Sequence, residues 1–325
     1  AAVAGGAQGL CVALVQEGVA LREAGIELPI LVLSEQPEAS LEAAVRHRLA
    51  VAVYSDEQIS ALTAYGASNH PVHLKIDTGM RRVGAAEHQA VGLADTIAAS
   101  PAVQLEGVFT HLAVADEPEN PFTDHQLDRF DAVLASLAAA GHHPQLVHAA
   151  NSAGALAHPR SRYDMVRAGI VVYGISPGAG VDHLCTDLRP ALSLHARVSH
   201  VKRLAAGEGI SYGLRHTFER DTTVATLPLG YADGVPRRLH AVGGTVLVHG
   251  HRRLIVGVVT MDQMMVDCGD DHVLPGDEAV LIGSQGGHTI TAAEWADALD
   301  TIAYEIVCGV SARVERRTVE PRPLD

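Results

Sequence analysis

At 325 residues the chain is long enough for about two domains, and 47 % apolar content with 31 glycines suits a globular protein that buries a sizeable core. A formal net charge of −14 argues against nucleic acid or an anionic membrane surface as a partner. No apolar run is long enough to span a bilayer, residues 1–10 do not read as a signal peptide, and Cys11, Cys185, Cys268 and Cys308 are scattered without a C-x-x-C pair, which fits a reducing cytosol better than a disulfide or zinc framework.

In chain order, short apolar runs predict strands at 10–14, 30–33, 50–54, 72–76, 105–110, 145–148 and 166–173. Between them, helical patterning covers 17–24, 41–46, 57–64, 87–99 and 126–140. Several strands are continuous apolar runs, as expected when both faces of a parallel sheet are covered. Strand and helix alternating at this spacing predict an α/β unit over 1–187, with a parallel sheet that is open or closed into a barrel. Seven strands are counted where a closed (β/α)8 barrel needs eight. From about Pro190 the pattern changes, and 188–325 reads as a mostly β domain. Its strands are expected within 191–204, 223–227, 245–248, 254–266 and 279–282, with helix returning at 292–299.

Eight segments carry the chemistry. In the first domain they are His73-Leu-Lys-Ile-Asp-Thr-Gly-Met-Arg-Arg-Val-Gly84, Thr110-His-Leu-Ala-Val-Ala-Asp116, His148-Ala-Ala-Asn-Ser152 and Met165-Val-Arg-Ala-Gly-Ile-Val-Val-Tyr-Gly174. In the second they are Ser211-Tyr-Gly213, Pro228-Leu-Gly-Tyr-Ala-Asp-Gly234, Gly257-Val-Val-Thr-Met-Asp-Gln263 and Tyr304-Glu-Ile-Val-Cys308. Each alone is weak, but in this order and across both domains they closely resemble the alanine racemase family. That resemblance spans essentially the whole chain. It implies a pyridoxal 5'-phosphate (PLP) binding (β/α)8 barrel followed by a β domain, working as a homodimer whose active site is shared between subunits. The implied activity is interconversion of L- and D-alanine, supplying D-alanine for peptidoglycan in the cytoplasm.

The resemblance also implies roles. Racemisation needs a base on each face of the α-carbon. Tyr212 matches one base, reaching in from the partner subunit, with His111 and Arg167 in the hydrogen-bond chain that supports its phenolate. The PLP lysine is the other. Arg167 faces the pyridine nitrogen and, because a guanidinium does not give up its proton, keeps that nitrogen unprotonated. Ser152, Gly169, Ile170 and Tyr304 match the phosphate end, and His148 and Asn151 match positions around the ring. Arg82 and the Met261 backbone from the other subunit match the substrate-carboxylate ligands. Lys75, often a carbamate in the family, positions Arg82. Asp262 and Tyr231 line the pocket, and Asp116 and Arg238 lie toward its entrance. Blander alternatives stand beside these: a helix cap for Ser152, a barrel-edge ion pair for Arg167, a strand tyrosine packed at an interface for Tyr212, a core histidine for His111 and a Lys75–Asp77 pair. The remaining histidines read as solvated surface.

One departure from the family is expected to matter. The Schiff-base lysine of the family sits at the end of the first barrel strand, yet Lys75 and Lys202 are the two lysines here, and neither matches that position. The chain therefore reads as a barrel missing its first βα unit, impaired on its own, the complete protein carrying the lysine upstream. Two other readings stay open: a racemase for serine, lysine or another amino acid, and a truncated homologue that holds PLP or forms dimers without catalysis.

Overall fold

The computed structural model describes residues 1–319 and divides the chain into two compact units, Ala1–Leu188 and a second beginning at Arg189. In the first, β1 (Leu10–Val12), α1 (Val15–Glu23), β2 (Ile30–Val32), α2 (Glu38–Arg46), β3 (Ala50–Val53), α3 (Asp56–Ala64), β4 (His70–Lys75), α4 (Ala90–Ala99), β5 (Val103–Phe109), α5 (Phe122–Ala139), β6 (Leu146–His148) and α6 (Ser152–Ala157) alternate. The six strands form one parallel sheet in the order β1-β2-β3-β4-β5-β6, a half-barrel.

Period-two alternation splits each strand between two environments. Val32, Val51, Val53, Val72, Leu74, Ile76 and Val108 pack into one apolar core with residues of the helices, including Leu41, Ile59, Leu93 and Phe130. The opposite face carries His73, Lys75, Phe109 and His148, all of them buried. Apolar run length located these strands because that second face is also covered. Its polar content is what distinguishes it from an ordinary core.

The seventh expected strand, 166–173, is not a strand. It becomes an irregular segment followed by a 3-10 turn at Ile170–Tyr173. Asp164 N–H donates to Val147 O and Arg167 N–H to Ala150 O, two isolated bonds alongside β6 rather than a ladder. Gly169 N–H donates to the Ser152 hydroxyl at 2.9 Å, which diverts the backbone from sheet pairing. Arg167 therefore sits on a loop, and the apolar run that suggested a strand is a partly exposed turn.

The second unit contains β7 (Leu194–Arg197), β8 (His200–Leu204), β9 (Gly209–Ile210), β10 (His216–Thr217), β11 (Thr222–Leu227), β12 (Thr245–Val248), β13 (His251–Val256), β14 (Met264–Gly269), β15 (Glu278–Gln285) and β16 (His288–Ile290). Helices α7 (Ala292–Leu299) and α8 (Ala303–Gly309) follow. Seven strands run β16-β15-β12-β13-β14-β11-β8, with β7 paired to β15, and β9 and β10 form a separate hairpin. The expected run 254–266 is two strands, β13 and β14, separated by the Gly257–Gln263 connection. Among the described residues no helix is long and apolar enough to cross a membrane.

Candidate active site

The inner face of the first unit converges on Arg167. Its Nη1 donates to His148 Nδ1 at 2.7 Å. Its Nη2 reaches the carbonyls of Thr110 (2.9 Å) and Ala149 (3.0 Å), with His111 Nδ1 at 3.4 Å. The Phe109 ring lies 5.2 Å from its Cζ. Burial pulls the guanidinium down to about 10, so it remains charged at neutral pH. Among the described residues no carboxylate pairs with it, which disposes of the ion-pair alternative. A buried cation satisfied by neutral acceptors is costly to keep and marks a functional candidate.

Its two histidine neighbours are held neutral. Burial, then Arg167, Arg82 and Lys75, push His111 down to about 3. Burial and Arg167 drive His148 far below the ordinary histidine range. Lys75 Nζ donates to Leu33 O at 3.0 Å, in place of the alternative pairing with Asp77. Burial first, then Arg82 and Arg167, bring Lys75 down to about 8, against the opposing pull of Asp77. Asp77 instead closes a tight loop, accepting from the N–H groups of Gly79 and Arg81. Asp77 N–H to Ala85 O and Ala85 N–H to Lys75 O pin the base of that loop. Gly84 is required there: its φ is +131°, and a Cβ would lie 2.8 Å from Asp77 N. The loop presents Arg82 exposed, close enough to depress both Lys75 and His111.

At the end of β6, Asn151 rather than Ser152 caps α6, its Oδ1 accepting from Gly154 N–H at 2.9 Å. Asn151 Nδ2 donates to Leu112 O at 3.4 Å. The Ser152 hydroxyl is left to accept from Gly169 N–H. Ile170 opens the 3-10 turn beside them, so its N–H has no acceptor within that turn. A hydroxyl and a backbone N–H at adjoining positions suit a small anion.

Within the second unit, Tyr212 begins a 3-10 turn at Tyr212–Leu214, between β9 and β10, and is 74 % exposed. It is therefore neither in a strand nor packed within its unit. Ser211, at φ 63°, fixes the turn through its hydroxyl to Val258 O at 2.8 Å. Met261 and Tyr231 are exposed on two loops stitched together by Tyr231 N–H to Thr260 O and Ala232 N–H to Met261 O. Arg313 clamps the same loops, bonding Asp262 at 2.8 Å and Asp233 at 3.3 Å. Tyr304 lies in α8, half-buried.

Two histidines expected at the surface are buried, His70 and His73. His73 joins the site's hydrogen bonds, as does Glu106, which the sequence reading did not single out. The signal for His73 was present, since it shares a strand face with Lys75 two residues later. No group of three or more histidine, cysteine, aspartate or glutamate side chains among the described residues could hold a metal ion.

Comparison with known proteins follows the same two-unit division. Residues 1–177 match the family described as alanine racemase, N-terminal domain, and residues 191–318 its C-terminal domain. An alanine racemase of Symbiobacterium thermophilum is 52 % identical over 320 residues, 97 % of this chain and 84 % of that protein. One from Thermobifida fusca is 45 % identical, over 97 % of this chain and 85 % of its own length. The crystal structure of alanine racemase from Bacillus anthracis with bound L-Ala-P superposes with a TM-score of 0.91 at 40 % identity, covering 96 % of this chain and 81 % of that one.

Proposed function

The chain belongs to the alanine racemase family, whose members are PLP-dependent isomerases, and from that premise we propose that the complete protein interconverts L- and D-alanine. The observation that carries this reading is the buried Arg167 guanidinium, charged, held by neutral acceptors and aimed from a loop rather than paired with a carboxylate. Such a group suits the ring nitrogen of a neutral heterocycle. The donor set of the first unit fits PLP at two ends: Arg167 at the ring nitrogen, with His148 and Asn151 around the ring, and Ser152, Gly169 and Ile170 at the phosphate, to which the family resemblance adds Tyr304. Bound there, PLP supplies an electron sink that acidifies the substrate Cα–H.

This chain's residues do the rest. Arg167 donates to the ring nitrogen without surrendering its proton, which limits how strongly electrons are withdrawn and favours prompt return of the proton. Arg82, with the backbone of the partner subunit's Met261, binds the substrate carboxylate, and a carbamate on Lys75 beneath the Arg82 loop positions it. Tyr212 holds or takes the proton at its Oη on one face of Cα, its phenolate favoured by His111 and Arg167 across a homodimer interface. Tyr231 and Asp262 line the approach. The boundary near 187 and 188 separates the cofactor-holding domain from the one that supplies Tyr212 to a partner. D-alanine for peptidoglycan, made in the cytoplasm, is the physiological output of this reading.

The base on the other face is the lysine that anchors PLP. Lys75 is committed to Leu33 O below Arg82, and Lys202 lies on β8 of the second unit. The reading therefore assigns the anchor to a residue outside these 325, on a preceding βα unit. Borohydride reduction of the native protein with PLP, followed by peptide mapping, tests this, and an adduct on Lys75 or Lys202 would overturn it. The activity is tested with Tyr212→Phe in the full-length protein. Solvent-proton exchange should fall at least a hundredfold on one face while PLP binding persists. Unchanged racemisation would remove Tyr212 from the role.

A further inference from the structure

Behind Arg167 runs a line of hydrogen bonds that ends on a residue to which the proposed chemistry gives no role. Arg167 Nη1 lies 2.7 Å from His148 Nδ1, His148 Nε2 lies 2.8 Å from His73 Nδ1, and His73 Nε2 lies 3.1 Å from the Glu106 carboxylate. We infer that Glu106, the acceptor at the far end, acts through His73 and His148 to secure the direction of this line and so holds Arg167 in its working orientation. Glu106 and His73 are thus positioning residues. The inference rests on the ring-nitrogen role given to Arg167 above and adds to it the means by which that role is set.

The direction follows from donor and acceptor chemistry. A guanidinium has donors only, so His148 Nδ1 must accept, and the His148 proton must sit on Nε2. That proton faces His73 Nδ1, which must also accept, leaving the His73 proton on Nε2. An ionised carboxylate accepts only, and Glu106 stands at that end. An ion-pair reading of His73 and Glu106 fails by the same logic. A second proton on His73 would point at His148 Nε2, force the His148 proton onto Nδ1, and set N–H against N–H at Arg167. With Glu106 removed, Arg167 alone would select the direction, and the reversed line becomes accessible whenever the guanidinium turns away from His148 Nδ1.

The fold makes special provision for this arrangement. Pairing of β4 with β5 passes from Val72 opposite Leu105 to His73 opposite Gly107, so Glu106 is an extra residue in a β-bulge. Bulges re-aim side chains at functional sites. Gly107 leaves room for the His73 ring, since a Cβ there would lie 2.4 Å from Nδ1. Phe109 stacks on His148, centroids 4.7 Å apart and planes 7° from parallel, fixing the second ring. His73 and His148 are 2 % and 0 % exposed, so water does not offer either ring an alternative partner.

The test is long-range proton–nitrogen correlation NMR on the full-length protein, without cofactor and with 15N-histidine, beside racemase kinetics. The wild type should show His148 and His73 protonated on Nε2 alone. Glu106→Ala should give mixed tautomers at His148. It should also lower kcat about tenfold with KM for alanine little changed, by analogy with the loss of a hydrogen-bond partner that orients a metal-bound histidine. Glu106→Gln, whose amide oxygen still accepts from His73, should restore both tautomers and most of kcat. A wild-type spectrum with His148 protonated on Nδ1 overturns the inference even if the alanine variant does not fold. So do unchanged tautomers in Glu106→Ala, or a glutamine variant as impaired as the alanine one. Because the spectra need no turnover, absence of racemase activity in the wild type would count against the functional reading alone.

Discussion

Lys75 illustrates how a single residue records its surroundings. An amine with a pKa near 8 instead of 10.5 binds its proton less tightly in the folded chain than in the unfolded one. The cost of that charge is therefore present in full below pH 8 and is relieved as pH rises from about 8 toward 10.5. Lys75→Met removes the charge, so its stability relative to wild type should be most favourable near pH 7 and should shrink by pH 9.5. Urea midpoints at the two pH values, in buffer free of carbon dioxide, check this. A difference that grows with pH would contradict the assigned burial. The same depression leaves roughly 300-fold more neutral amine at pH 7 than an ordinary lysine has, and the neutral amine is the form that adds carbon dioxide. A carbamate at Lys75 in bicarbonate, read as added mass on that residue, follows from the same number.

Between residues and the whole lies the pairing of β4 with β5, where local geometry sets the chemistry. Gly107→Ala places a methyl carbon within 2.4 to 3.0 Å of the His73 ring, which is held on its far side by Glu106 and beside it by His148. Overpacking against a ring with no free rotamer should cost about 1–3 kcal/mol, measured as a lowered urea midpoint with an unchanged m-value. A neutral substitution would mean that the ring can swing away. This element also marks the limit of what the sequence revealed. Strands β2 and β3 were legible because apolar runs are what double-sided burial demands. Arg167, His148 and Ser152 were singled out as site candidates because their segments resemble a family. Glu106 was not, because in a regular strand it would share a face with neither His73 nor Lys75, and a bulge leaves no mark in hydropathy. The run 166–173 failed for the converse reason: its hydrophobicity is that of a strand, but Gly169 spends its N–H on a serine hydroxyl. Asn151 beside Ser152 presented two possible caps, and periodicity could not decide which side chain would be left free.

For the whole molecule the open sheet is the governing feature. Among the described residues β1 pairs only with β2, and β6 only with β5, so the parallel sheet has two edges. Parallel sheets are ordinarily covered on both faces and closed or shielded at their edges, because an unpaired edge templates association with other chains. Here Cys11 on β1 is exposed, and so are Leu14 beyond it and Val166, Val172 and Tyr173 in the segment after β6. On the reading that a further βα unit supplies the cofactor lysine, the same unit would pair with the free edge of β1. Chemistry and stability would then be lost together. These 325 residues expressed alone should be poorly soluble or loosely packed, eluting as aggregate and unfolding without a sharp transition, while the full-length protein elutes as a homodimer. If the chain alone is soluble and unfolds cooperatively, the edge is shielded by some other means. On the same reading, absence of racemase activity in such a sample would be traceable to the cofactor amine alone, since the half-barrel that holds His148 and Arg167 would have proved stable without a further unit.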